Sequence, residues 1–200
     1  MPAHAERSRR GLTRRHLLLA ATATALPLPV LAQTAADIPE EVRAEMAGAR
    51  LSGSGEFRYF GFLVYRATLW VGPQGLGAEL GDAPFALQLR YARSLKGADI
   101  AARSEEEMRK LGEGGPQQRS AWLQAMQRLF PDVAEGDTLT GVFTPAGAAP
   151  AQSRFYFNGA LRGAEGGTAF ARAFFSIWLS PQTPAPDLRK ALLARASASP

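Results

Sequence analysis

The chain has no cysteine, and its two histidines, His4 and His16, both fall close to the N-terminus. Without cysteine there is no disulfide, no thiolate nucleophile and no Cys-based zinc site. With both histidines so near the start, everything after residue 16 lacks an imidazole for a catalytic triad or a metal. Charge of one sign is also scarce once the N-terminal segment is set aside. The whole chain carries 23 Lys and Arg against 18 Asp and Glu, a formal +5. Residues 1–32 hold five of those arginines and one glutamate, so the remainder has 18 bases and 17 acids, a net of +1. No dense Lys/Arg run remains, and the composition gives no support to nucleic-acid binding.

What the N-terminus does contain reads as an address. Arg7, Arg9 and Arg10 lead into Thr13-Arg14-Arg15-His16-Leu17-Leu18-Leu19, a threonine before paired arginines and then apolar residues. That is the pattern of a twin-arginine export signal. The apolar stretch that follows is about 15 residues, short of the roughly 20 a spanning helix needs, and Pro27 and Pro29 interrupt it. Val30-Leu31-Ala32 then places small residues at the spacing of a signal-peptidase site. The expectation is that residues 1–32 are removed, that Gln33 begins the mature chain, that no stable membrane anchor remains, and that the protein works in the periplasm.

Residues 33–50 read as a lead-in ending in a short polar helix. From Leu51 the pattern is that of an apolar, β-rich domain through residue 195. Leu51 to Phe60 and Phe62 to Val71 suit strands, with Gly61 between them; they form either a tight antiparallel pair or one long kinked strand. Phe85 to Arg93 alternates, with Phe85, Leu87, Leu89, Tyr91 and Arg93 on one face. Ser104-Glu105-Glu106-Glu107 has the spacing of a capping box for a helix stopping at Gly112, although the helix could begin as early as Asp99. Gln117 to Phe130 is amphipathic, with Trp122, Ala125, Met126, Leu129 and Phe130 on one stripe. Thr138 to Thr144 and Arg154 to Phe157 suit strands, and Asn158-Gly159 signals a type I′ turn into Ala160-Leu161-Arg162. Thr168 to Leu179 is a helix apolar nearly all round, hence buried, and Asp187 to Arg195 is a last short helix. The class is α+β: an antiparallel sheet, inserted helices, a hairpin, then helices packed on the sheet. About 168 residues suffice for one such core.

The order of several segments resembles a known family. Gly53-Ser54-Gly55-Glu56-Phe57-Arg58 is followed by Val64-Tyr65-Arg66-Ala67-Thr68-Leu69-Trp70 and the helix around Ser104–Leu111. Phe130-Pro131-Asp132-Val133, the Phe155–Gly159 hairpin and Ala185-Pro186-Asp187-Leu188-Arg189 come next. Together they resemble the bacterial branch of the chalcone isomerase-like proteins, over roughly residues 50–195. The resemblance implies an open-faced β-sandwich, a large antiparallel sheet with helices packed on one face and a ligand cleft between. Plant members of that family close a chalcone to a flavanone, and other members bind fatty acids through an Arg and a Tyr. Neither activity requires His, Cys, a metal or a cofactor. The resemblance places Arg58 as the cleft arginine and Ser176 near a ligand-contacting hydroxyl. Tyr65 stands where the catalytic plant enzymes have a small Thr, and Ile100–Met108 lacks the Tyr and Asn that orient their substrate.

Each candidate also has a plainer reading. Arg58 is either a cleft cation suited to a carboxylate or phenolate, or a solvated strand arginine paired with Glu56. Arg66 is either ligand-facing or lays its stem over Trp70 with its head in water. Tyr65 and Tyr91 either offer hydroxyls to a ligand or belong to the core. Ser176 either meets a ligand or bonds back to a carbonyl one turn earlier. The resulting expectation is a cofactor-free binding protein for a small apolar acid such as a fatty acid, with Arg58, Tyr65, Tyr91 and Ser176 as ligand-binding residues. An isomerase or lyase of the chalcone isomerase type, acting on an enone or phenol, is the alternative, and a ligand-free interaction module is a third. The sequence names no protein partner.

Overall fold

The computed structural model describes residues 38–197, and the segment read as an export signal lies outside them. The elements are α1 (Glu40–Glu45), β1 (Arg50–Tyr59), β2 (Phe62–Val71), β3 (Phe85–Tyr91), α2 (Gly97–Lys110) and α3 (Pro116–Leu129), then β4 (Thr138–Thr144), β5 (Gln152–Phe157), β6 (Ala160–Gly166), α4 (Thr168–Leu179) and α5 (Pro186–Leu192). The six strands form one antiparallel sheet in chain order, β1 to β6. This is the α+β architecture expected from the sequence, and Leu51 to Val71 is a tight hairpin rather than one kinked strand.

Strand alternation sends two sets of side chains to opposite faces. Ala67, Leu69 and Val71 of β2 and Phe85, Leu87 and Leu89 of β3 join the main core. The later strands contribute Leu139, Phe143 and Phe155, against which the apolar faces of α2 to α5 are packed. Phe174 of α4 lies at the centre of the aromatic part, with ring contacts to Phe130, Phe155, Phe170, Phe175 and Trp178 at centroid distances of 5.1 to 5.7 Å.

The residues that alternate with these, Trp70, Ala86, Val142 and Tyr156, form a smaller cluster with Val42 and Met46 of the α1 segment. Glu41 accepts a hydrogen bond from the Thr140 hydroxyl at 2.9 Å, and Glu45 binds the Tyr156 hydroxyl at 2.6 Å and pairs with Arg154. Part of the stretch read as a lead-in is therefore packed on the sheet, on the face opposite the other helices. Its acidic residues made it look solvent-borne, whereas Glu41 and Glu45 are matched to polar groups of β4 and β5.

The capping box at Ser104 is corrected. α2 begins at Gly97, and Ser104 is an interior residue whose hydroxyl donates to the Ile100 carbonyl at 2.8 Å. The helix start is held by Asp132, which accepts from the Gly97 amide at 3.0 Å and from Lys96 at 2.8 Å. These two bonds, that of Lys96 foremost, hold the Asp132 carboxyl below its usual range. β6 also extends to Gly166, beyond the short return expected.

The glycine at position 53 has a steric cause. α5 crosses β1 so closely that a Cβ on Gly53 would lie 2.0 Å from the Ala191 carbonyl oxygen. The Ser52 hydroxyl donates to the Leu192 carbonyl at 2.7 Å, and the Arg195 amide to the Ser52 carbonyl at 3.0 Å. Gly53→Ala must push α5 away from β1. Urea unfolding should show a loss of about 1–3 kcal/mol, the usual cost of overpacking, and an unchanged midpoint would mean that α5 has room to move.

Candidate functional site

Where the packing of α4 ends, a cavity of about 540 Å³ opens between the sheet and the helices, within the roughly 300–1,000 Å³ range of small-molecule pockets. Its sheet side consists of Phe57, Tyr65, Leu89 and Tyr91, from β1, β2 and β3. α2 supplies Ile100, Arg103, Ser104 and Glu107. Ile177 and Trp178, at the end of α4, and Pro184 and Ala185, before α5, line the rest with the other flanking groups. Arg58, Tyr59, Arg93, Asp99, Arg103 and Pro184 are the exposed lining residues and mark the mouth.

The aromatic side of the cavity is tied together. Phe57 stacks on Tyr65 with centroids 5.0 Å apart, and Tyr65 meets Tyr91 edge-on at 6.0 Å. The Trp178 indole N–H donates to the Tyr65 hydroxyl oxygen at 2.9 Å, so the end of α4 is fixed to β2. Tyr91 is buried, and its hydroxyl makes no hydrogen bond among the described residues. Burial pushes the phenols of Tyr65 and Tyr91 up from their ordinary values, against a smaller lowering by Trp178 at Tyr65. Both are neutral hydrogen-bonding groups at neutral pH.

The arginines differ in their partners. Arg58 donates to the Glu56 carboxylate at 2.9 Å and to the Gly61 carbonyl at 3.2 Å. Arg66 donates to the other oxygen of Glu56 at 2.7 Å, and its head is in solvent rather than in the cavity. The Arg58 hydrogen bond, with help from Arg66, holds Glu56 below the usual carboxylate range. Arg103 pairs with the buried Glu107 at 2.6 Å and with Glu106 at 3.1 Å. Arg93 lines the cavity and, among the described residues, has no hydrogen-bond or ion-pair partner.

The structure thus brings three of the four expected ligand-binding residues, Arg58, Tyr65 and Tyr91, to one cavity. It does not bring Ser176 there: Ser176 is buried in α4, is absent from the lining, and donates its hydroxyl to the Ala173 carbonyl at 2.8 Å. Sequence reasoning left out Arg93 and Arg103. Arg93 had been placed on the face of Tyr91 by alternation, and that was the signal available. Among the described residues no cluster of acids could hold a metal ion.

The fold and this cleft between sheet and helices define a class, the open-faced sheet with a ligand-sized hollow under its helices. The model of the chalcone isomerase-like family matches residues 32–194, and the chain belongs to that family. It is 29% identical over 150 residues to an uncharacterized protein of Haemophilus influenzae, a match covering 72% of this chain and 67% of that one. Its fold resembles the crystal structure of an Arabidopsis thaliana fatty-acid binding protein, with a TM-score of 0.61 at 15% identity, over 75% of this chain and 89% of the other.

The buried phenols predict an alkaline limit to stability. A group whose value is raised by folding stabilises the fold fully below its unfolded value, about 10 for Tyr, and that contribution is lost as pH rises toward the folded value. Stability measured by denaturant should therefore fall above about pH 10, and Tyr91→Phe should make the fall shallower. Identical slopes for the two proteins would mean that the Tyr91 hydroxyl is hydrated.

Proposed function

We propose that this chain is an exported, cofactor-free binding protein for a small apolar acid, of which a fatty acid is the simplest example. The observation that carries the reading is Arg93, a guanidinium at the mouth of an apolar cavity with no carboxylate partner among the described residues. Arg58 and Arg103 already have theirs. An anionic guest would supply what Arg93 lacks, the Tyr91 hydroxyl offers a neutral donor in the same cavity, and Phe57, Leu89, Ile177 and Trp178 offer an apolar lining to its chain. The structurally similar plant protein, described as binding fatty acids, supports the same reading.

The expectation for Arg58 changes accordingly. A ligand carboxylate would have to compete with Glu56 for Arg58, whereas at Arg93 it meets no described competitor. Displacement of a fluorescent fatty acid by dodecanoate should weaken about tenfold or more in Arg93→Ala, the worth of a charge-assisted hydrogen bond. In Arg58→Ala the change should be smaller, and dodecanol should bind both variants as it binds the parent. Unchanged dodecanoate affinity in Arg93→Ala would remove this anchor.

Export rests on the sequence of the N-terminal segment. Replacing Arg14 and Arg15 by Lys should leave the chain in the cytoplasmic fraction, if the twin-arginine route carries it. Recovery of that variant in the periplasmic fraction at the parental level would exclude the route.

A further inference from the structure

Three of the four exposed large apolar side chains among the described residues are gathered at one place, the fourth being Leu161 on β6. Phe60 is 84% exposed, Phe62 69% and Tyr59 54%, all at the tip of the β1–β2 hairpin. The Tyr59 and Phe60 rings pack edge to face, 4.5 Å apart, so the tip is a small aromatic knob rather than scattered side chains. Phe60 and Gly61 form its two-residue turn, with φ of 47° and 82°. The β5–β6 hairpin uses the same backbone signs, with φ of 48° at Asn158 and 81° at Gly159. Asn and Gly suit those positions, whereas a bulky aromatic at positive φ is strained. At the β1–β2 tip a strained conformation therefore presents a phenylalanine to solvent, and strain that local packing does not explain points to a use.

Two further observations say what the knob meets. Arg58 and Arg66, at the base of the tip, share the single carboxylate of Glu56, which leaves positive charge in excess with both guanidinium heads in solvent. Tyr59 and Arg58 also line the mouth of the cavity, so the knob and the cavity entrance are continuous. Projecting aromatics with a cationic collar suit the interface of an anionic bilayer, where rings enter the headgroup boundary and Arg meets lipid phosphate. We propose that the β1–β2 tip is a membrane-docking element, inserting Phe60 and Phe62 into an anionic lipid surface beside the cavity mouth. The proposal does not depend on which ligand the cavity holds.

The test uses the full chain, so that parent and variants carry the same basic N-terminal segment. The three native tryptophans, Trp70, Trp122 and Trp178, are buried, and the difference in emission between F60W and the parent reports on the tip alone. With vesicles of phosphatidylglycerol and phosphatidylethanolamine that difference emission should move to the blue and be quenched by lipids with brominated chains. Phosphatidylcholine vesicles should give the same change only at higher lipid concentration. F60S/F62S should lower vesicle partitioning by about tenfold or more, as expected for withdrawing two buried aromatic rings. Emission that stays water-like with both kinds of vesicle, or partitioning of F60S/F62S equal to the parent, would overturn the proposal. So would a parental dimer that F60S/F62S converts to monomer without altering vesicle binding, which would assign the knob to a second copy of the chain.

Discussion

The packing of Phe174 among five aromatic rings fixes the position of α4 over the sheet, and most of what the site does follows from where that packing stops. Trp178 is the last member of the cluster, in contact with Phe174 on one side and bonded to the Tyr65 hydroxyl on the other. On one side of it the space between helix and sheet is filled by phenylalanine; on the other lies the cavity. A buried indole N–H needs a partner, and here the partner belongs to the cavity wall. The bond therefore sets both the spacing of α4 from β2 and the orientation of the phenol.

Electrostatics then sorts the arginines around the mouth. One carboxylate, Glu56, engages Arg58 from within its own strand and, outside the cavity, Arg66 from across the β1–β2 register. The register slips between Phe57 and Arg58, a bulge of the kind that re-aims side chains near functional sites. Glu107 holds a third arginine from within α2. What is left for an anion is decided by these pairings more than by the number of positive charges. The neutral phenols complement this arrangement, because burial keeps them protonated and able to donate.

The sheet, its hairpins and the buried α4 were legible because each leaves a local mark: period-two alternation in β3, Asn158-Gly159 at a turn, an all-round apolar run over Thr168–Leu179. The start of α2 was legible only as the earlier alternative, Asp99, and its cap was not, because Asp132 comes from beyond α3. Nor was the role of α1, whose acidic residues find their partners about a hundred positions later on β4 and β5. At the site, alternation put Arg93 beside Tyr91, but only the side-chain contacts show that Arg58 is engaged and that Arg93 has no partner among the described residues. Ser176 lies on an element correctly placed, yet its hydroxyl satisfies its own helix.

The contact of α5 with β1 has a bearing on how the molecule is made. The six strands pair only with their neighbours in the chain, so the meander can assemble in the order in which it is synthesised. The covering of β1 cannot, because the Ser52 hydroxyl bonds to Leu192, 140 residues away. Until α5 is made, the face of β1 at Gly53 and the Ser52 hydroxyl stay uncovered. Closure of the domain thus waits for α5, and a chaperone bound near β1 would have to leave before α5 could take its place.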